Sequence, residues 1–316
     1  MSDLFPGFST RELETEPGGL IHARIGGSGP PLLLLHGFPQ THVIWRHVAP
    51  RLAQSFSVVA TDLRGYGDSF KPESGPDHAA YSKRAMAQDQ VRAMELLGFD
   101  SFHLVGHDRG GRVAHRLALD HPQRVRSVAV LDIAPTLHMY QRTDLAFARA
   151  YYHWFFLIQE APMPERLIGA EAELYLRWTL SRGPAGLAPF EGQALSEYLR
   201  CFCDPRAIHA ACEDYRAAAT IDLVHDQQDL DAKVAAPLLA LWGKKGVVEA
   251  RFDALAAWRE RASRSRAARS TADTTCPKRR RTRWSKRCCA TARAEDCSPL
   301  AEPEGRGRPL ARRPTA

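Results

Sequence analysis

The chain has no long apolar run and no apolar leader. Its 316 residues contain no stretch close to the about 18 consecutive apolar residues that a membrane-spanning helix needs. The opening MSDLFPGFSTRELE has neither a basic start nor an apolar core, so a secretory signal is not predicted. These absences favour a cytoplasmic protein with no membrane partner. A hydrophobic content of 44% is enough for a large globular core.

Cysteine and charge are unevenly distributed. Four of the seven cysteines follow residue 270, and their spacing forms neither a metal-binding nor a disulfide pattern. From Arg259 onward the chain has 17 basic and 6 acidic residues, a net charge of +11, whereas residues 1–258 carry −4. The overall charge of +7 therefore describes the end of the chain and not its body. No nucleic acid, cofactor or metal is expected.

Short apolar segments alternate with helical patterns. The segments are LLLL before His36, SVVATDL, FHLVGHD, SVAVLDI and PLLALWG. The helical patterns cover Tyr81–Leu97, Arg109–His121 and Phe252–Arg261. Apolar strands that alternate with amphipathic helices predict an α/β fold, a mostly parallel sheet with helices on both faces.

A different pattern occupies residues 136–234, which are helical in character and rich in aromatic side chains. We interpret this segment as a helical cap over the carboxyl ends of the strands, where open α/β sheets bind their ligands. An ordinary all-helical second domain is the alternative. The predicted core is then residues 1–135 and 235–262, and residues 263–316 form a basic, disordered tail.

The stretch GHDRG, residues 106–110, places Asp108 between a predicted strand and a predicted helix. With LLLLHGFPQ, DLRGYGDS and LVGHDRGGRVAHRLALDHP, it resembles the α/β-hydrolase family, whose nucleophile lies on a tight strand-to-helix elbow. The usual elbow is GxSxG, so aspartate replaces serine here. The resemblance then implies attack by Asp108 on an sp³ carbon, which forms an ester that water opens.

Two arginines select one branch of that family. Arg109 and Arg112 are three residues apart at the start of a helix and so lie on one face, beside Asp108. The sequence DRGGR resembles the pattern of the haloacetate dehalogenase family, which includes enzymes that act on fluoroacetate. The resemblance implies that these two arginines bind the substrate carboxylate. The alternative is that either arginine pairs with an acid at the surface.

The predicted cap supplies the expected halide-binding residues. By the same resemblance His153 and Trp154, within YYHWFF, and Tyr215, within CEDYRA, donate hydrogen bonds to the departing halide. Ordinary core packing is the alternative for these aromatic residues.

Three further roles follow from the resemblance. The backbone N–H groups of Phe38 and Arg109 would stabilise the oxyanion during ester hydrolysis, although HGFP also occurs in epoxide hydrolases. Asp132, at the end of VLD, resembles the acid that orients the catalytic histidine. The competing position, after LWG, offers Lys244 and Lys245 instead of an aspartate. A turn-capping aspartate is the alternative for Asp132.

The C-terminal segment departs from the resemblance. The family's general-base histidine lies near the C-terminus after one more strand, whereas the last of 13 histidines here is His225. Residues 276–289 read CPKRRRTRWSKRCC, and codons that encode this segment also encode LPEEAPDEVVEALL when they are read from one base earlier. The same shift allows only His or Tyr at the position where this chain has Thr274. This indicates a frameshift between Trp258 and Asp273. A basic tail that binds nucleic acid is the alternative.

The predicted function is hydrolysis of a short 2-haloacid, from haloacetate to glycolate and halide, through an alkyl-enzyme ester. Without its general-base histidine the chain should release halide once and trap the ester. We also expect the final strand and helix to be lost, and a homodimer is possible. An epoxide hydrolase with two cap tyrosines and a catalytically inactive binding protein with a basic tail are the alternatives.

Overall fold

An eight-stranded sheet organises the computed structural model, which describes residues 3–270 apart from 184 and 191. The strands are β1 Ser9–Glu16, β2 Gly19–Gly26, β3 Pro31–Leu35, β4 Ser57–Thr61, β5 Phe102–His107, β6 Val125–Leu131, β7 Leu238–Gly243 and β8 Ser265–Ser270. Their spatial order is β1-β2-β4-β3-β5-β6-β7-β8. The pairs β1·β2 and β2·β4 are antiparallel, and the other neighbours are parallel.

Helices cover this sheet and fill the segment between β6 and β7. Those of the described residues are α1 Ala49–Leu52, α2 Lys83–Leu96, α3 Arg109–Asp120, α4 Thr136–Gln141, α5 Leu145–Ala150, α6 Tyr152–Leu157, α7 Met163–Ala170, α8 Ala172–Ser181, α9 Gly192–Phe202, α10 Pro205–Ala219, α11 Ile221–Gln228, α12 Val247–Arg251 and α13 Ala254–Arg261. Short 3-10 helices span His42–Trp45, Ala79–Tyr81 and Pro122–Arg124. None of the described helices is long and apolar enough to cross a membrane.

Strand β3, near the centre of the sheet, is apolar along its whole length. Its residues Leu33 and Leu34 point to opposite faces of the sheet, and both are fully buried. A strand buried on both faces needs no alternation of polar and apolar residues. The α/β fold predicted from the continuous apolar segments is therefore confirmed.

Two of the predicted helices begin at capped positions. The Ser82 hydroxyl accepts a hydrogen bond from the Ala85 N–H and starts α2. The Asp253 carboxylate does the same for the Ala256 N–H at the start of α13, two residues after the predicted start at Phe252. The helix predicted from Arg109 matches α3 to within one residue.

Helices α4 to α11 all lie between β6 and β7 in the chain. Among them α10 is the most deeply buried, because 11 of its 15 residues are buried. This helix packs against α6, α7, α9 and α11. It also reaches the core of the sheet domain, since Asp214 of α10 forms an ion pair with Arg109 of α3.

The expected loss of the final strand is wrong. Residues Ser265–Ser270 form β8, which pairs in parallel with the whole of β7. A parallel ladder is built from backbone N–H and C=O groups, and residues 265–270 contain no proline that would remove a donor. A polar, basic segment can therefore still pair, and these residues do not belong to a disordered tail. Residues 271–316 lie outside the described residues, and the predicted loss of the final helix concerns that segment.

Candidate active site

The elbow between β5 and α3 carries Asp108. Its backbone has φ 49° and ψ −115°, a conformation that costs a non-glycine residue about 1–3 kcal/mol. Close packing maintains this conformation. A Cβ on Gly106 would lie 2.3 Å from the Gly110 carbonyl oxygen, and a Cβ on Gly110 would lie 2.2 Å from the His36 carbonyl oxygen. Both glycines of GHDRG are therefore required by contacts between backbones.

The loop after β3 approaches the Asp108 side chain. The Phe38 backbone N–H donates a hydrogen bond to Asp108 Oδ1 over 3.0 Å. A Cβ on Gly37 would lie 2.5 Å from the Asp108 Cβ, so glycine permits this approach. Arg109 begins α3, and the first N–H groups of a helix have no partner within that helix. Two backbone donors are thus available near the Asp108 carboxyl group.

A cavity of about 400 Å³ opens over the elbow. Five of the residues singled out from the sequence line it, namely Phe38, Asp108, Asp132, His153 and Tyr215. The other three, Arg109, Arg112 and Trp154, lie behind the cavity wall, with exposed fractions of 0%, 3% and 0%. The structure thus brings five of these residues to one surface and places three in the layer beneath it.

Arg109 is held by an aspartate of α10. Its Nε donates to Asp214 Oδ2 over 2.9 Å, and its Nη2 donates to Asp214 Oδ1 over 2.6 Å. The guanidinium carbon also lies 4.2 Å from the centre of the Tyr215 ring. The sequence left open a pairing with a surface acid, but this acid is fully buried. Nη1 of Arg109 has no hydrogen-bond partner among the described residues.

Asp214 is ionised despite its burial. Burial acts to raise its pKa, but the charges of Arg109 and Lys83 hold that pKa well below its ordinary value. Lys83, in the first turn of α2, donates a hydrogen bond to Asp214 Oδ1. The Tyr66 hydroxyl donates to Oδ2 over 2.6 Å. The Asp214 carboxylate therefore joins α10 to α2, to α3 and to the loop after β4.

Arg112 contacts neutral groups. Its Nη1 donates to Thr136 Oγ1 over 2.9 Å, its Nη2 approaches Met139 Sδ at 3.3 Å, and its guanidinium carbon lies 4.7 Å from the centre of the Trp154 ring. Within the described residues it forms no ion pair, and its Nε has no partner. Burial and the positive charge of Arg109 lower the pKa of Arg112, and the negative charge of Asp108 opposes this. A buried cation without a direct counter-ion favours the approach of an anion.

Three buried donors on α6 and α10 also have no partner among the described residues. They are His153 Nδ1, Trp154 Nε1 and the Tyr215 hydroxyl. The Tyr215 ring centre lies 5.7 Å from that of His153 and 6.5 Å from that of Trp154. Burial lowers the pKa of His153 to about 4 and raises that of Tyr215, so both side chains are neutral at pH 7. Buried polar atoms normally have partners, so a cluster of three without any indicates a ligand site.

Asp132 lies at the end of β6 with φ 57°. Its backbone N–H donates to the Leu241 carbonyl over 2.8 Å, and its Oδ1 lies 3.4 Å from the Gly243 nitrogen. The competing Lys245 lines the same cavity. In the shifted reading frame the general-base histidine expected from the resemblance falls at position 274, which lies outside the described residues. The structure therefore places Asp132 at the wall of the cavity that Asp108 also lines.

Several site residues were missed in the sequence. Asp214 precedes Tyr215 in CEDYRA, and Tyr66 lies within DLRGYGDS. Neither pattern predicts that these two segments are in contact. Lys83 gave no signal beyond the start of a helix. Tyr151 and Arg182 also line the cavity. Burial raises the pKa of Tyr151, and Arg182 lies 5.0 Å from the Tyr152 ring centre.

Comparisons with known proteins agree with this fold. A family model described as the alpha/beta hydrolase fold matches residues 30–266. A fluoroacetate dehalogenase of Burkholderia sp is 49% identical over 83% of this chain and 86% of its own length. A soluble epoxide hydrolase of Corynebacterium sp. (strain C12) is 35% identical over 72% and 78%. A solved structure from Nostoc sp PCC 7120 is 56% identical, with a TM-score of 0.83 over 85% of this chain and 92% of that chain.

The chain therefore belongs to the α/β-hydrolase family. Within that family it is an enzyme of the haloacetate dehalogenase-like kind. Both predictions made from the elbow motif and its neighbours are confirmed.

Proposed function

We propose that this chain removes the halogen from a short 2-haloacid, converting haloacetate to glycolate and halide, with Asp108 as nucleophile. One observation carries the proposal. The Asp108 carboxylate lines a cavity together with His153 and Tyr215, and Arg112 and Trp154 lie behind the wall of that cavity. Arg112 is a buried cation with no ion pair among the described residues, and the donors of His153, Trp154 and Tyr215 have no partner among them. A haloacetate offers a carboxylate to Arg112 and a leaving halide to the three donors.

In the first step an oxygen of Asp108 attacks the halogen-bearing carbon. The new C–O bond forms as the carbon–halogen bond breaks, and the halide leaves with the electron pair. Oδ1 accepts the Phe38 N–H, so Oδ2 is the freer oxygen for attack. Arg109 and Arg112 each keep one nitrogen without a partner, and we assign these nitrogens to the substrate carboxylate. A fixed carboxylate aligns the carbon with the nucleophile.

The departing halide is assigned to His153, Trp154 and Tyr215. A halide such as fluoride is strongly hydrated, so a dry site must replace its hydration with aimed donors. The three N–H and O–H groups have no protein partner to give up among the described residues, which favours this assignment. Each donor contributes about 1–3 kcal/mol, which corresponds to roughly tenfold to a hundredfold in rate.

In the second step water attacks the carboxyl carbon of the ester and releases glycolate. We assign the stabilisation of the oxyanion to the backbone N–H groups of Phe38 and Arg109. This step needs a general base, which we assign to a histidine oriented by Asp132 and lost by the frameshift. Loss of a general base slows a reaction by about 10² to 10⁴. Without this histidine the chain therefore releases one equivalent of halide and retains an ester on Asp108.

We assign residues 136–234 the role of a cap. Helices α6 and α10 supply the three halide donors, and α10 fixes Arg109 through Asp214. The core strands supply Asp108, Asp132 and the loop of Phe38. In this arrangement the nucleophile belongs to the sheet and leaving-group recognition belongs to the cap.

The test is halide release in a single turnover. The protein is mixed with excess chloroacetate or fluoroacetate, and free halide is compared with the enzyme concentration. We expect one equivalent of halide and a carboxymethyl group on the peptide that contains Asp108, found by mass spectrometry. Asp108→Asn should release none, whereas Asp77→Asn, an exposed control, should behave as the parent. Release that survives Asp108→Asn would overturn the assignment of the nucleophile.

The frameshift has a separate test. The nucleotide sequence of codons 258–290 shows whether a base is missing or added. A chain with the restored reading frame should release many equivalents of halide, whereas the present chain should stop after one equivalent. Repeated turnover by the chain as given would show that another group acts as the base.

An epoxide hydrolase is the second candidate. Two tyrosines, Tyr151 and Tyr215, line the same cavity as Asp108, and two such hydroxyls would activate an oxirane oxygen. The similarity to the Corynebacterium enzyme also favours it. Ring opening of styrene oxide, followed by mass analysis of the Asp108 peptide, separates the candidates. The arginines favour the haloacid, because a neutral epoxide has no carboxylate to bind.

A further inference from the structure

A second group of titratable side chains lies outside the cavity of Asp108. His22 is on β2, His42 begins the 3-10 helix after β3, and Asp62 follows β4. One ligand atom of each residue lies within 4.8 Å of the other two, and all three residues are buried. The dehalogenase mechanism proposed above uses none of them.

His22 is oriented by a carboxylate on the neighbouring strand. Glu12 of β1 is its direct partner in the antiparallel register, and Glu12 Oε1 lies 2.6 Å from His22 Nδ1. Nε2 makes no hydrogen bond to the described residues, so it is the nitrogen available to a ligand. A carboxylate on one ring nitrogen is the arrangement that orients metal-binding histidines and increases their basicity.

His42 and Asp62 are within hydrogen-bonding distance of each other. His42 Nδ1 lies 2.9 Å from Asp62 Oδ1, which also accepts the His42 backbone N–H over 2.6 Å. Asp62 Oδ2 accepts the Asp68 N–H over 3.1 Å. Burial acts to raise the pKa of Asp62, but the neighbouring histidines, His42 foremost, hold it well below its ordinary value. A fixed carboxylate and a fixed imidazole thus face each other where a cation can replace the proton of that hydrogen bond.

The two histidines line a cavity of about 860 Å³, which shares no lining residue with the cavity of Asp108. Three other carboxylates line it, those of Asp3, Asp68 and Glu197. The arginines in its wall are already paired, Arg24 with Asp3 and Arg200 with Asp68 and Glu197. An ion and the water bound to it can reach the histidines through this cavity. Because both arginines are paired with carboxylates, neither adds an uncompensated positive charge that would repel a cation.

We propose that His22, His42 and Asp62 bind a divalent transition-metal ion such as Zn²⁺, with a further position open to the cavity. Two imidazoles and a carboxylate are donors that zinc accepts in proteins. Ligands held at about 2.0–2.1 Å in a tetrahedral site are roughly 3.3 Å apart. The 2.9 Å between His42 Nδ1 and Asp62 Oδ1 therefore needs to widen by only a few tenths of an ångström. The ion would connect β2, the turn after β3 and the end of β4.

Zinc binding to the full chain tests this site without any activity assay. Equilibrium dialysis is performed on untagged protein whose cysteines are first blocked with N-ethylmaleimide, because free thiols also bind zinc. We expect one equivalent of Zn²⁺ in the parent and a rise in melting temperature with zinc concentration. The variant His22→Asn plus His42→Asn should lose that equivalent, since asparagine keeps a donor toward Glu12 or Asp62 without the imidazole. His121→Asn, at the end of α3, is the matched control.

A milder variant probes the outer carboxylate. Glu12→Gln removes the charge that orients His22 and should weaken zinc binding by roughly 10- to 100-fold. Glu14→Gln, on the same strand and exposed, should leave the affinity unchanged. The proposal is overturned if the parent binds no more zinc than the doubly substituted chain, which would leave a hydrogen-bonded cluster only. Neither result depends on whether the chain is a dehalogenase.

Discussion

The two arginines beside Asp108 differ in what holds them. Arg109 is neutralised by Asp214, whereas Arg112 contacts a hydroxyl, a carbonyl, a sulfur and an aromatic face. A substrate anion therefore gains most from Arg112, the charge that no described acid pairs directly. This difference could not be read from the spacing in DRGGR, in which the two positions look equivalent.

Arg112→Lys tests that inequality. Lysine keeps the charge but loses the planar fork that binds a carboxylate through two hydrogen bonds. We expect the haloacetate concentration needed for half-maximal burst rate to rise by roughly 10- to 100-fold, about 1.4–2.8 kcal/mol. Arg92→Lys on the exposed face of α2 is the control. An unchanged half-saturating concentration would show that Arg112 does not bind the carboxylate.

The Tyr66 hydroxyl should contribute to stability through its bond to Asp214. Tyr66→Phe removes a hydrogen bond to a buried charge, and we expect the free energy of unfolding in urea to fall by about 1.5–3 kcal/mol. Tyr140→Phe is a matched control, because the Tyr140 hydroxyl is buried without a partner among the described residues. That change should be neutral or slightly stabilising. Equal losses in both variants would argue against a special role for the Asp214 network.

At the scale of elements, the elbow depends on close contact between backbones. Gly106→Ala would place a Cβ 2.3 Å from the Gly110 carbonyl oxygen, a contact that neither β5 nor α3 can relieve by rotating a side chain. We expect a loss of about 3 kcal/mol in urea unfolding. Gly169→Ala in α7 meets nothing within 4 Å and should stabilise the chain by up to about 1 kcal/mol. A well-folded Gly106→Ala protein would contradict this account of the elbow.

The pairing of β8 with β7 predicts where the chain can be shortened. A chain that ends after Ser270 keeps the partner of β7, whereas one that ends after Ser263 exposes the β7 edge with its apolar side chains. Unpaired apolar edges promote aggregation. Light scattering should therefore detect larger particles for the shorter chain at equal concentration. Similar particle sizes would show that β8 does not protect this edge.

At the scale of the whole molecule, buried histidines should make the fold sensitive to acid. Burial lowers the pKa of His115 to about 3 and that of His153 to about 4, from an ordinary 6.5. The unfolded chain then binds more protons than the folded chain between these values and 6.5. The stability due to the neutral form is fully present above pH 6.5 and is lost as the pH falls toward 4 and 3.

His153→Gln measures this contribution. Glutamine cannot ionise, so the fall in the free energy of unfolding between pH 6.5 and 4 should be smaller by about 3 kcal/mol. His121→Gln, at the end of α3, is the control for a substitution of histidine by glutamine. Urea unfolding at several pH values provides the measurement, and identical pH profiles for parent and His153→Gln would rule out a depressed pKa at His153.

The fold class, the elbow and the aspartate on the elbow were predictable from local sequence patterns. These features are local, because a continuous apolar segment reports a strand buried on both faces and GHDRG reports a turn that only glycines permit. The family resemblance then named the residues of the candidate site, and five of them line one cavity.

The pairing of the buried charges and the neighbours of each strand depend on contacts between distant segments and were not predictable in this way. Arg109 and Asp214 are 105 residues apart, and their contact depends on how α10 packs on the core. The β8 segment has polar residues and still pairs, because a parallel ladder uses backbone groups that the side-chain pattern does not report. Local patterns thus determine elements and turns, whereas the partners of buried charges and sheet edges are set by packing between distant segments.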